Sequence, residues 1–182
     1  MSTVQIKVGH TFILDDKYSK ALGSKFTDES GKRAAFFMGC YGLGVSRILA
    51  AAAEVLSTDS ELRFPDRIAP FSACVLAPKS GSKEEAAVGD AVADFYDDLN
   101  SKVFPGDVLL DDRGTVTVGK KLREARQSGF SFVVLFGKQC VEGKVEVYDL
   151  SQRREEGQEE CCVLSFQEAI DFLTKRSQQM QL

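Results

Sequence analysis

The sequence predicts an α/β protein built in two parts. Residues 1–62 read as an antiparallel sheet with one helix, residues 63–70 as a linker, and residues 71–182 as a mixed-sheet α/β domain. Three patterns carry that division. Between residues 71 and 182, short apolar runs alternate with segments of helical period, the order expected of helices on a mixed, mainly parallel sheet. The stretch from Phe36 to Leu56 passes from bulky strand-forming residues through a glycine-rich turn into an apolar run with helical spacing. Pro65 and Pro70 bracket a short segment whose backbone they hold extended, a semi-rigid connector.

In the first part, Val4 to Lys7 and Thr11 to Leu14 are strand material interrupted at Gly9-His10, and Asp15-Asp16 is a polar turn. Asp28-Glu29-Ser30-Gly31 forms a loop into a strand at Arg33 to Met38. Gly42 and Gly44 stand where that strand gives way to a buried helix, on which Ile48, Ala51, Ala52 and Val55 repeat at helical spacing. Two positions without side chains admit either a close backbone approach or a ligand. Arg47 lies in the first helical turn, where backbone N–H groups are unpaired. Its five-donor guanidinium either suits a bound polyphosphate or stands in solvent. A dinucleotide fingerprint needs glycine where Arg47 stands, and a P-loop needs G-K-[ST]; neither is present. Three strands and one helix leave their apolar faces short of partners, which marks an incomplete core.

The second part opens on the apolar strand Phe71 to Ala77, as expected when both sheet faces are covered. Ser82 and Glu85 form a capping box for one helix, whose Val88, Ala91, Val92, Phe95 and Leu99 make a single stripe. Val108 to Leu110 is the next strand, ending at Asp111-Asp112-Arg113. A helix from Gly119 to Ser128 turns Val118, Leu122, Ala125 and Gly129 inward. Lys120, Arg123 and Gln127 point outward on it, with Lys121 and Arg126 on the flanks. With Arg113 this gives five cations against Glu124, in a chain of net charge −4: a solvated face or a nucleic-acid contact. The strand Phe132 to Phe136 ends at Gly137, and Lys144 to Tyr148 alternates like an edge strand. A charged turn at 155–160 precedes a strand from Cys161 to Leu164. Ser165 and Glu168 cap a last helix with Ile170, Phe172 and Leu173 inward, and the Gln-rich tail after Lys175 reads as frayed.

Composition narrows the classes. At 182 residues the chain holds one ordinary domain or two small ones. No apolar run reaches the length of a membrane span, and Met1 to Lys7 carries neither a signal-peptide core nor an arginine-rich leader. The negative net charge excludes an indiscriminate nucleic-acid binder and leaves local basic recognition open. Five cysteines without a C-x-x-C pair, and one histidine, argue against a structural zinc site and for reduced packing thiols, and no metal site is expected. His10 is by itself a turn or half-buried residue, and Cys40 a small buried hydrophobe.

The run Met38-Gly39-Cys40-Tyr41-Gly42-Leu43-Gly44-Val45-Ser46-Arg47 resembles motif 3 of class II aminoacyl-tRNA synthetases, in the form of the bacterial and mitochondrial prolyl-tRNA synthetases. Val8-Gly9-His10-Thr11-Phe12 and Lys17-Tyr18-Ser19 are similar to another piece of that catalytic domain. Phe64-Pro65-Asp66-Arg67-Ile68-Ala69-Pro70-Phe71 is similar to its junction with the anticodon-binding domain, and Leu109 to Arg113 to a run within that domain. The family has Leu-Gly-Thr where this chain has Leu14-Asp15-Asp16, so the threonine contact has no counterpart.

The resemblance implies the C-terminal part of an aminoacyl-tRNA ligase that activates proline with ATP and Mg²⁺ and transfers it to tRNA(Pro). Gly42, Gly44 and Arg47 would contact ATP, with Arg47 catalytic. His10, Phe12 and Cys40 would line the proline pocket. Asp111, Asp112, Arg113, Lys120, Lys121 and Arg123 would face the anticodon. The complete enzyme, with motifs 1 and 2 and its N-terminus upstream, would be a homodimer in the mitochondrial matrix or a bacterial cytoplasm, and this stretch alone would be inactive. The reading from another class is a noncatalytic synthetase-like protein, such as an accessory subunit of a mitochondrial DNA polymerase. Retention of His10, Cys40 and Arg47 together counts against it.

Overall fold

The computed structural model describes residues 6–151 and 161–180. The chain divides into two compact units, Met1–Ala51 and Ala52–Leu182. Expectations for Val4, Gln5 and the charged turn at 155–160 lie outside the described residues.

The first unit holds two antiparallel ribbons. Strand β1 (Gly9–Asp15) pairs with β4 (Met38–Leu43), and β2 (Lys25–Thr27) pairs with β3 (Arg33–Ala35). Gly9-His10 therefore begins a strand and does not interrupt one. The expected strand over Arg33 to Met38 is split at Phe36-Phe37, so Gly39 and Gly42 lie inside β4. Asp28 turns the β2–β3 hairpin: its Oδ1 accepts from the N–H groups of Ser30 and Lys32, both at 2.9 Å. A short helix α1 (Lys17–Ala21), absent from the sequence reading, follows Asp15, which takes a positive φ of 50°. Ser19 is buried, and its hydroxyl donates to the Phe36 carbonyl at 2.6 Å, tying α1 to the β3–β4 connection. Helix α2 (Val45–Leu56) begins in this unit at Gly44, whose carbonyl accepts from Ile48 N–H at 2.8 Å, and its residues 52–56 belong to the second unit. It has no buried residue. The expected burial of α2 fails for the reason already visible in the sequence, too few apolar partners: Phe37, Tyr41, Leu43 and Val45 are exposed as well.

The second unit is a five-stranded sheet of order β6-β5-β7-β8-β9, formed by β5 (Ala73–Leu76), β6 (Val108–Asp111), β7 (Phe132–Leu135), β8 (Lys144–Asp149) and β9 (Cys162–Ser165). β5 pairs in parallel with β6 and β7, whereas β7–β8 and β8–β9 are antiparallel, so the mixed sheet has as many antiparallel as parallel pairs. β8 is interior and not an edge, because β9 covers its outer side; Val145 and Val147 are buried accordingly. Alternate strand residues feed two cores. Val75, Val134 and Val147 pack with Phe95, Leu99 and Leu173 on one face, and Leu76, Val133 and Tyr148 with Ala125 on the other. α3 (Lys83–Val88), α4 (Ala91–Asp98) and α6 (Phe166–Met180) thus cover one side, and α5 (Val118–Arg126) the other.

Where one helix was expected after Ser82, there are two, because Gly89 takes φ 50° and breaks the run; a π-turn, Leu99–Val103, then extends α4. Both serines cap their helices, but only the Ser165–Glu168 box is reciprocal, because the Glu85 carboxylate accepts from Gly81 N–H and not from Ser82 N–H. Glu85 N–H donates to Ser82 Oγ at 3.1 Å, and Ser165 N–H donates to Glu168 Oε2 at 2.9 Å. α6 continues through Met180, so the tail expected to fray is helical to that point.

The segment preceding β5 is docked against this unit. Leu62 N–H donates to the Arg126 carbonyl at 2.9 Å, closing the end of α5, and Ser131 Oγ donates to Asp66 Oδ1 at 2.9 Å. Glu61 and Arg63 are 6% and 8% exposed; Arg63 Nε donates to Glu61 Oε2 at 3.0 Å, and Arg126 Nη1 lies 3.8 Å from Glu61 Oε1. One carboxylate therefore serves two guanidiniums. Glu61→Ala would remove the buried carboxylate that both guanidiniums face, a loss of about 3 kcal/mol, at the low end for breaking a buried ion pair. The expected outcome is a lower urea midpoint for the second unit, read by far-UV circular dichroism. An unchanged midpoint would show the strap to be incidental to stability.

Candidate functional site

In the first unit, β-pairing gathers the expected small-molecule residues. His10 lies opposite Gly42 and Phe12 opposite Cys40, so all four share one face of the ribbon. The His10 and Phe12 rings stack at 5.2 Å between centroids. Nothing lies within 4 Å of where a Gly42 Cβ would be, so the backbone opposite His10 is open to a ligand. Gly44 is tight: a Cβ there would be 3.1 Å from Arg47 Cβ. Arg47 is exposed, and its Nη1 donates to the Lys7 carbonyl at 3.2 Å. Cys40 is exposed, not a buried hydrophobe, because the face it occupies has no covering element among the described residues. An open concavity of about 560 Å³ borders Gly9, His10, Thr11, Tyr41, Gly42 and Leu43. It includes His10 and Gly42, whereas Phe12, Cys40 and Arg47 lie outside it. Sequence reasoning missed Gly39, where a Cβ would sit 2.7 Å from the Tyr41 hydroxyl. Asp15-Asp16 is a solvated turn, with Asp16 Oδ2 3.8 Å from Lys20 Nζ.

The basic cluster of the second unit is not what its sequence suggests. Lys121, expected on a flank of α5, is 0% exposed. Its Nζ donates to the carbonyls of Ala77 at 2.9 Å and Asp111 at 3.1 Å, and lies 3.8 Å from Asp111 Oδ1. A fully buried ammonium cannot reach an RNA phosphate, so Lys121 is withdrawn from the RNA-facing set. Arg113 grips Asp111 with two bonds, Nε to Oδ1 at 2.9 Å and Nη2 to Oδ2 at 2.7 Å, and donates to Glu124 Oε2 at 2.7 Å. Asp111 is itself buried. Arg126 sits over the Tyr148 ring at 5.0 Å and beside Glu61. Of the five cations counted along this stretch, Lys120 and Arg123 are the solvent-facing ones without a buried partner, Lys120 lying 3.8 Å from Glu124. Asp112 is exposed beside them and shares a cleft of about 410 Å³ with Asp111, Arg113 and Glu124.

A second concavity, of about 570 Å³, opens at the carboxyl ends of β5 and β7. The chain leaves β5 for β6 on one side and returns to β7 on the other, and such a switch in strand order leaves a crevice between the outgoing loops. Lys79 and Ser82 come from the loop after β5, Val118 from the start of α5, Lys138 and Gln139 from the loop after β7, and Glu146 from β8. A Cβ on Gly137 would be 2.7 Å from Glu146 Oε1, so glycine there makes room for the carboxylate. Tyr148 hydroxyl donates to Glu146 Oε2 at 2.9 Å and orients it. The sequence reading missed this crevice. The signal was the loop after each apolar strand, but strand order, which decides which loops meet, is not written in local pattern.

Charges follow the geometry. The Arg113 hydrogen bonds hold the Asp111 carboxyl below its usual range, and Asp111 and then Glu124 keep Arg113 firmly protonated. Burial pulls the Lys121 ammonium down, while Asp111 opposes it. Burial pushes the Cys74 thiol up to about 12, so it is no nucleophile. Among the described residues, no group of three His, Cys, Asp or Glu could hold a metal ion, and no helix is long and apolar enough to cross a membrane.

Residues 73–176, which include the sheet, match the family described as anticodon binding domain, and the chain belongs to it. It is homologous to proline–tRNA ligases. The probable mitochondrial proline–tRNA ligase of Homo sapiens is 48% identical over 142 residues, covering 77% of this chain and 30% of that protein. The proline–tRNA ligase of Picosynechococcus is 41% identical over 152 residues, covering 84% and 24%. The chain thus spans less than a third of the length of these relatives. The prolyl-tRNA synthetase of Cryptosporidium parvum, solved with L-proline and AMP, shares the fold with a TM-score of 0.72 at 18% identity, over 96% of this chain and 34% of that one. That of Giardia lamblia, solved with prolyl-adenylate, aligns with a TM-score of 0.69 at 18% identity, over 95% and 37%. The accessory-subunit reading is not favoured by these relatives.

The lowered Asp111 pKa has a definite sign. A carboxyl whose folded pKa lies below its unfolded value adds stability that is whole above about pH 4 and lost as pH falls through the folded value. The expected outcome is that parent and Asp111→Asn differ in urea midpoint at pH 7 and converge as pH falls toward 3. A difference independent of pH would mean that the ionised carboxylate is not what stabilises the fold.

Proposed function

We propose that the chain is the C-terminal part of a proline–tRNA ligase, in which residues 1–62 contribute to proline activation and residues 71–182 read the anticodon, joined by residues 63–70. The observation that carries it is the meeting of His10, Phe12, Cys40 and the open Gly42 on one ribbon face, in a chain homologous to such ligases. In activation, a proline carboxylate oxygen attacks the α-phosphorus of ATP, the bond to the β-phosphate oxygen breaks, and pyrophosphate leaves. The adenylate then passes its prolyl group to the terminal ribose hydroxyl of tRNA(Pro), releasing AMP. His10, Phe12 and Cys40 would shape the proline pocket, Gly42 and Gly44 would leave room for the nucleotide, and Arg47 would hold phosphate charge. Mg²⁺ would arrive with the ATP phosphates. The exposed apolar residues of β4 and α2 are the faces that the rest of a catalytic domain would cover, and the complete enzyme would be a homodimer, its mitochondrial location being the one in the names of the mitochondrial relatives.

For RNA, the crevice joins apolar walls to Lys79, Lys138, Gln139 and Glu146, a mixture of donors and an acceptor suited to the edge of a splayed base. Lys120, Arg123 and Asp112 would act beside it on the backbone and flanking bases, while Asp111 and Arg113 support the loop from behind.

In the complete enzyme, Arg47→Ala is expected to slow proline-dependent ATP–pyrophosphate exchange about 10²–10³-fold, the loss of one preorganised donor. Charge reversal at Lys120 or Arg123 should leave exchange intact and lower the salt slope of tRNA binding by about 0.7–0.9 for each phosphate no longer neutralised. Exchange at the parent rate in Arg47→Ala would refute the activation half. Unaltered salt slopes would reduce α5 to a solvated face.

A further inference from the structure

We propose that Lys121 and Gly114 form a positioning device for anticodon recognition, fastening the loops that leave β5 and β6 so that the crevice keeps its shape, with neither residue touching RNA. The proposal rests on reading that crevice as the RNA site. Lys121 lies under the two loops at once: its ammonium bridges the carbonyls of Ala77, just past β5, and Asp111, the last residue of β6. Ala77 N–H donates to the same Asp111 carbonyl at 3.1 Å, so three groups converge on the exits of two strands. Further out, Ser80 N–H donates to the Gly114 carbonyl at 2.9 Å.

Gly114 owes its identity to crowding. A Cβ there would collide with Ser80 Oγ and stand 2.9 Å from Ser80 Cβ. The stitched loops carry Lys79 and Ser82 on one strand and lead to Thr117 and Val118 on the other, and all four border the crevice. Moving either loop therefore moves the crevice wall. An apolar side chain at 121 would fill the space but remove the donor that holds the two carbonyls together. A surface cation at that position would do neither.

The test uses the whole chain and, as probe, anticodon stem-loop RNAs carrying either the proline anticodon or one altered base. Lys121→Met is expected to weaken binding of the proline stem-loop about tenfold and narrow discrimination between the two RNAs. The slope of log K against log salt should not change, because every phosphate keeps its cation. A slope lowered by about 0.7–0.9 would make Lys121 a phosphate ligand and overturn the proposal. Gly114→Ala should reproduce the loss of discrimination, and Gly114→Ala combined with Ser80→Gly should restore it to within about twofold by removing the colliding atoms, a readout that survives if Lys121→Met fails to fold. A double variant as impaired as the single one would also overturn the proposal. Lys138→Ala separates the two readings. If it binds the proline stem-loop like the parent, the crevice is not the RNA site. If it weakens binding while the Lys121 and Gly114 variants match the parent, the crevice stands and the positioning device falls.

Discussion

Asp111 is the group on which the second unit turns. Its carbonyl closes the β5–β6 exit by accepting from both Ala77 and Lys121, and its carboxylate, itself buried, takes the bidentate grip of Arg113. A buried carboxylate or ammonium left alone carries a desolvation cost of several kcal/mol. Asp111 and Lys121 therefore have to be brought together if α5 is to lie on this sheet at all. Once they are, the direction in which α5 presents its charges is settled. Lys121 points into the strand ends, Arg113 and Glu124 neutralise each other at the helix flank, and Lys120 and Arg123 remain for solvent.

That arrangement moves the proposed centre of recognition. A stretch counted as five cations against one anion becomes two solvent cations, one of them shared with Glu124. The loops beyond the strands gain the chemistry that the helix loses. In the crevice, Lys138 and Lys79 are cations near apolar walls, and Glu146 is an acceptor held in place by Tyr148. Phosphate contacts position an RNA and base contacts specify it. The helix is suited to the first task and the crevice to the second.

Much of this was legible in local pattern. The strands β5, β6 and β7, the Ser82 and Ser165 caps and the inward face of α6 follow from apolar runs and Ser-x-x-Glu spacings, because those signals lie within one element. Pairing of His10 with Gly42 and Phe12 with Cys40 was not readable, since register is a property of two segments. β8 looked like an edge because its polar residues alternate, but Tyr148 and Glu146 are hydrogen-bonded to each other within the sheet, and Glu146 borders the crevice. The break at Gly89 and the helix α1 hang on single backbone angles. Lys121 misled most, because helical periodicity assigns a lysine between two faces to the flank and cannot register an anion waiting on another strand.

The two units also differ in how their apolar residues are satisfied, and that bears on where the chemistry can happen. In the second unit, both faces of the sheet are filled, and the segment from Glu61 to Asp66 is hydrogen-bonded into the same body. In the first, β1 and β4 form a two-stranded ribbon, which alone is marginal in water, and α2 carries an apolar surface with no buried residue. The residues proposed for proline and ATP sit on that ribbon and at the start of that helix. Their geometry is set by backbone pairing, the Ser19 bond and the Gly44 turn, but their surroundings are open on the ligand side. Preorganised electrostatic stabilisation needs a water-excluded site. The proposed binding face of the first unit thus has its residues in register but not its enclosure, whereas the crevice of the second is already walled.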